Sequence, residues 1–153
     1  ALWLCFWLLA TAPGALGDER ELAVEAVGPL VIIGGAESAD GRVLRRVVQM
    51  AGGRDARMVV VPVASRRQQA AADRYERAFR ELGVRHVRSL IVDTPEDASD
   101  AAGIRAVGQA TGVFFSGGDQ SRIVRLLRDT PLAKAILERN RQGVVLAGTS
   151  AGA

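Results

Sequence analysis

Continuous apolar runs alternate with stretches of helical periodicity along this chain. Residues 30–33, 58–63, 112–115 and 144–147 are unalternating runs rich in valine, isoleucine and phenylalanine, and 84–92 is a looser one. Such runs predict short strands buried on both faces, as in a parallel sheet. Between them, Val43, Leu44, Val47, Val48 and Ala51 recur as one apolar stripe that closes at Gly52-Gly53. Ala72, Tyr75, Phe79 and Leu82 form the next stripe, with Gly83 as its stop. Thr94-Pro95-Glu96-Asp97 combines a threonine N-cap, proline at N1 and an acidic N3, and predicts the start of a third helix. Thr130-Pro131 predicts another in the same way, after a short turn or helix over 123–127.

Strand, helix and strand follow one another with connections too long for hairpins. That order predicts crossover units, a parallel sheet and an α/β fold. In open sheets of this kind, ligands bind beyond the carboxyl ends of the strands. The residues to read for chemistry are therefore Gly34-Gly35-Ala36-Glu37, the 62–66 segment, Asp93-Thr94, Ser116-Gly117-Gly118-Asp119-Gln120, and Gly148 onward. Three of these five ends are rich in glycine.

Composition adds bounds. The 153 residues are 48% hydrophobic and 24% charged, which fits one globular domain. The surplus of 20 basic over 17 acidic residues leaves a net charge of +3. Its densest pieces, Arg45-Arg46 and Arg66-Arg67, read as solvated helix faces, so no nucleic-acid partner is expected.

The opening ALWLCFWLLA is too short to span a membrane but matches the core of a signal peptide, and no stable membrane insertion is expected. Ala15-Leu16-Gly17 supplies small residues for cleavage, so residues 1–17 read as a partial leader and 18–153 as the mature α/β domain. Export, to a secreted or periplasmic location, is the expectation. The single cysteine, Cys5, lies inside that leader, and the single histidine is His86; neither a cysteine nucleophile nor a multi-histidine metal centre is available.

Gly148-Thr149-Ser150-Ala151-Gly152 fits the G-x-S-x-G pattern, in which a serine sits on a strained turn after a strand. Its hydroxyl would project from the turn, and the amide of Ala151 could face a developing oxyanion. Gly117-Gly118, directly after a buried strand, allows close backbone approach to a ligand, with amides placed to donate. Asp119 suits both an N-cap and a substrate contact, and Gln120 can both donate and accept. Gly34-Gly35-Ala36-Glu37 does not satisfy G-x-G-x-x-G; close packing against the site, with Glu37 near its rim, is expected instead. His86 falls at the start of a strand, the wrong end to serve Ser150 as a base.

The ordered motifs "VIIGGAE", "FFSGGDQ" and "LAGTSAGA" resemble the serine peptidase family of cyanophycinase and dipeptidase E (peptidase S51), nearer its cyanophycinase branch, over residues 30–153. The resemblance implies a three-layer α/β fold with a mostly parallel sheet, flavodoxin-like or class I glutamine amidotransferase-like. It implies Ser150 as nucleophile, the Gly118 and Ala151 amides as oxyanion hole, and Asp119 and Gln120 beside the substrate. The implied substrate is cyanophycin, a polymer of aspartate with arginine on its side chains, or a related β-aspartyl peptide, with no cofactor and no metal. The family's histidine and acidic partners lie downstream of the nucleophile, so the chain reads as an N-terminal part of a longer enzyme, incomplete alone. A dipeptidase E-like aspartyl dipeptidase, a non-catalytic ligand-binding or interaction domain and a small nucleotide-binding protein stay open, as does a homodimer.

Overall fold

The computed structural model describes residues 27–35 and 41–153. Residues 1–17, read above as a leader, Cys5 and Glu37 lie outside them. Five parallel strands form one sheet: β1 (Leu30–Ile33), β2 (Arg57–Val61), β3 (His86–Ser89), β4 (Gly112–Phe115) and β5 (Val145–Thr149), in the order β1-β5-β4-β2-β3. Five helices connect them: α1 (Arg42–Met50), α2 (Gln68–Glu81), α3 (Ala101–Gly108), α4 (Gln120–Leu127) and α5 (Pro131–Arg141). The described residues contain no helix long and apolar enough to cross a membrane.

Strand pleating sends successive side chains into two separate cores. Met58 and Val60 of β2 pack with Leu44, Val47 and Val48 of α1 and Tyr75 and Phe79 of α2. Val59 and Val61 pack with Val107 of α3, Leu126 of α4 and Leu132 and Ile136 of α5. Helices on both faces of a parallel sheet make the three-layer, flavodoxin-like α/β architecture expected from the sequence. Phe114 of β4 anchors the first core, its ring 4.6 Å from Tyr75 and 5.4 Å edge-on from Phe79.

Three elements differ from their sequence pattern. Thr94 and Asp97 do exchange capping bonds: Asp97 accepts from the Thr94 amide at 2.8 Å, and its own amide donates to the Thr94 hydroxyl at 3.3 Å. The product is only a 3-10 turn over Asp97–Ser99. Asp100 then turns the backbone extended and caps α3 afresh by accepting from the Gly103 amide at 2.7 Å. Strand β3 covers only His86–Ser89 of the apolar 84–92 run. Beyond it, the side-chain amide of Gln68 replaces a neighbouring strand, accepting from the Val92 amide at 3.0 Å and donating to the Val92 carbonyl at 2.8 Å. Finally, among the described residues β1 is an edge strand buried on one face only. Leu30 and Ile32 are 57% and 74% exposed, although the run contains no polar residue to announce it.

Candidate active site

Strand β2 sends its chain to α2 on one face, while its neighbour β4 sends its chain to α4 and α5 on the other. A crevice opens at the carboxyl end between strands that part in this way. A cleft of about 470 Å³ lies at this edge of the sheet, lined by segments that follow four strands: Gly35 after β1, Ser65 to Tyr75 after β2, Ser116 to Gly118 after β4, and Thr149 and Ser150 at the end of β5.

Ser150 stands at the exposed floor of this cleft with φ of +53°, in the left-handed region that a side chain adopts only under local constraint. The glycines of its motif create that constraint by packing too closely for any side chain. A Cβ on Gly148 would overlap the Gly152 carbonyl, and a Cβ on Gly152 would stand 2.5 Å from the Ser116 carbonyl oxygen. The turn therefore folds back onto its own strand and against the end of β4. After Ser150 the chain makes a 3-10 turn over Ser150–Gly152, closed by the Ala153 amide donating to the Ser150 carbonyl at 3.0 Å. The Ala151 amide belongs to the start of that turn, where amides have no intrahelical acceptor.

The second glycine pair is built against the same serine. A Cβ on Gly117 would lie 3.1 Å from Ser150 Cβ and 3.8 Å from its Oγ. Gly118, at φ of +151°, packs its α-carbon against the Ala64 carbonyl, which also accepts from the Asp119 amide at 2.8 Å. The turns after β2 and β4 are thus locked together beside the serine. Thr149 adds a further tie: its buried hydroxyl donates to the carbonyl of Gly35, joining the turn after β1 to the residue before Ser150. The expected close packing of the Gly34-Gly35 turn against the site is met.

The residues expected from the sequence divide accordingly. Ser150 and Gly118 share the cleft, and Ala151 continues the Ser150 turn toward a neighbouring apolar cavity. Asp119 is an N-cap: its carboxylate accepts from the Ser121 hydroxyl at 2.5 Å and the Ser121 amide at 2.9 Å. Those two bonds, helped by Arg66 and Arg125, hold its carboxyl below the usual range. Neither Asp119 nor Gln120 lines the cleft around Ser150. His86 opens β3 at the amino end of the sheet, opposite the serine. Among the described residues, the cleft lining contains no carboxylate and no imidazole.

Three further residues contribute to the cleft region. Thr149 was hidden inside a motif read only for its serine and glycines. Arg67 and Arg74 line the cleft, although the 66–67 pair reads as a solvated helix face. Their signal was a second stripe, Arg67 at the N-cap of α2 and Ala70, Ala71 and Arg74 within it, at helical spacing away from the core stripe.

Residues 30–153 match the model of Peptidase family S51. A cyanophycinase from Synechococcus elongatus is 42% identical over 129 residues, covering 82% of this chain and 40% of the relative. One from Geminocystis herdmanii is 40% identical over 127 residues, covering 81% and 47%. The chain thus spans less than half the length of these curated relatives. Among solved structures, a peptidase from an acI-B1 Actinobacterium superposes with a TM-score of 0.70 at 27% identity, covering 83% of this chain and 55% of that one. A Listeria monocytogenes protein named for peptidase E, at 21% identity and a TM-score of 0.62, shares the fold. With its motifs at the strand ends where the fold places them, the chain belongs to Peptidase family S51.

Proposed function

We propose that the full-length protein is a serine-type exopeptidase that hydrolyses cyanophycin or related β-aspartyl peptides through an acyl-enzyme at Ser150. The observation that carries this reading is the left-handed backbone of Ser150, between the closely packed Gly148 and Gly152, at a cleft lined by glycine turns. In the reaction, Ser150 Oγ bonds to the scissile carbonyl carbon as its proton passes to a base. The carbonyl oxygen takes the electron pair and is met by the amides of Ala151 and Gly118. The C–N bond then breaks, the amine leaves with the proton from the base, and water attacks the ester to release the acid and Ser150. The base and its acidic partner belong, in this reading, to polypeptide beyond residue 153. The 40–42% identity to cyanophycinases supports the substrate class. The apolar run over residues 1–10, which matches the core of a signal peptide, supports export.

The test is hydrolysis of cyanophycin and of α- and β-aspartyl dipeptides by the full-length gene product, beside its Ser150→Ala variant. Release of dipeptide by the parent alone is expected. Equal hydrolysis by both would remove Ser150 from the mechanism, and inertness of both toward every peptide would favour a binding domain.

A further inference from the structure

Arg67, at the N-cap of helix α2, and Ala70, Ala71 and Arg74 within it line the cleft that holds Ser150. The spacing i, i+3, i+4, i+7 keeps these four on one side of the helix, with both arginines exposed. Seven residues of helix rise about 10 Å, so the two guanidinium-bearing positions bracket a low saddle made by the two alanines. Ser65 fixes the start of the helix by accepting from the Arg67 amide at 3.0 Å. The Arg74 guanidinium lies over the ring of Tyr75, 5.3 Å from its centroid, and Tyr75 is itself packed on Phe114 in the core. One wall of the cleft therefore carries two guanidinium groups, that of Arg74 seated over a ring packed into the core.

From this arrangement we infer that Arg67 and Arg74 are specificity-determining residues that bind carboxylate groups of the peptide whose carbonyl Ser150 attacks. The inference rests on the acyl-enzyme reading above. Guanidinium groups suit it because they meet carboxylates through paired charge-assisted hydrogen bonds. In an aspartate polymer whose side-chain carboxyls are amide-linked to arginine, the free carboxylates along the chain are those of the arginines themselves. Those arginine carboxylates are the groups this wall selects, while Ala70 and Ala71 leave room for the chain between them.

The test uses the full-length protein and two matched oligomers of β-aspartyl-arginine, one with free arginine carboxylates and one with the same positions capped as carboxamides. A fluorophosphonate probe reports separately on the reactivity of Ser150. The parent is expected to prefer the carboxylate oligomer in kcat/KM, and Arg67→Gln and Arg74→Gln to reduce that preference about tenfold or more each. Arg74→Lys, which keeps charge over Tyr75, is expected to recover part of it, and melting curves check that each variant is folded. Binding of both oligomers to the Ser150→Ala variant should show the same preference. Equal use of the two oligomers by the parent, or variants that lose activity equally on both, would overturn the assignment while leaving the nucleophile intact. Failure of the probe to label Ser150 and of the parent to cleave either oligomer would instead overturn the reading on which it rests.

Discussion

The hydroxyl of Thr149 donates to the backbone carbonyl of Gly35, linking the end of β5 to the turn after the edge strand β1. This bond spans the two strand ends on one side of the cleft and fixes the residue that precedes Ser150. Thr149→Val keeps the shape of the side chain and removes the donor. Loss of such a buried bond costs about 1–2 kcal/mol. Because the bond holds the turn rather than a substrate, the variant should label more slowly with a fluorophosphonate while its KM changes little. Labelling rates together with thermal melts decide the matter; an unchanged rate would confine Thr149 to general stability.

The glycines of the serine turn make a sharper prediction. A methyl group on Gly148 has nowhere to go but into the Gly152 carbonyl, and one on Gly152 meets the carbonyls of Ser116 and Phe115 at 2.5 and 2.8 Å. Backbone cannot yield as a flexible side chain can, so Gly148→Ala and Gly152→Ala should each cost about 3 kcal/mol or more. Gly108→Ala is the contrasting case. Gly108 ends α3 with nothing within 4 Å of its Cβ position, so alanine there should stabilise by about 0.5–1 kcal/mol. Denaturant titrations of the three variants compare these directly.

Gln68 makes the third case. Its buried side-chain amide serves both backbone groups of Val92, and Nε2 reaches Asp93 Oδ1 at 2.9 Å. Gln68→Leu would leave the Val92 amide and carbonyl without their partner, at about 1–3 kcal/mol each. Gln68→Glu should be no better, since a carboxylate offers no donor to the Val92 carbonyl and faces the Asp93 carboxylate. Because Gln68 opens α2 directly beside Arg67, either variant should also weaken binding at the cleft. Chemical denaturation and substrate titration read the two effects separately.

The parallel sheet was legible because β2 and β4 are continuous apolar runs and both of their faces are buried. The Ser150 turn was legible because its constraint is local: two glycines and a serine at fixed spacing after a strand. What escaped depends on partners distant in sequence. Nothing in Leu90-Ile91-Val92 distinguishes a strand from an extended segment held by the side chain of Gln68. The same holds for β1, whose Leu30 and Ile32 match buried residues in composition and lie on an open face. Arg67 looked like half of a solvated pair, but the turn from β2 into α2 places it in the cleft. Thr94-Pro95 misled for another reason: its capping bonds formed, but Asp100 offered a second cap that started α3 later.

Those aspartate caps set the response to acid. Amide bonds from Thr94 and Asp93 hold Asp97 below its ordinary value of 3.8, and amide bonds from Gly103 and Ala102 do the same for Asp100. The Ser121 hydroxyl and amide hold Asp119 down likewise. In each case the folded carboxyl releases its proton more readily than the unfolded one, so between the two values the unfolded chain binds more protons. The stabilisation is complete above the ordinary value and is lost as pH falls through the lowered folded value. Unfolding free energy should therefore decline as pH falls through and below the ordinary carboxyl value. Asp100→Asn tests this without deleting the cap, because asparagine also accepts from the helix amides and has no proton to gain. The variant should show a shallower acid slope than the parent, measured by urea titration at successive pH values. A slope equal to the parent's would mean that Asp100 takes no part in the acid response.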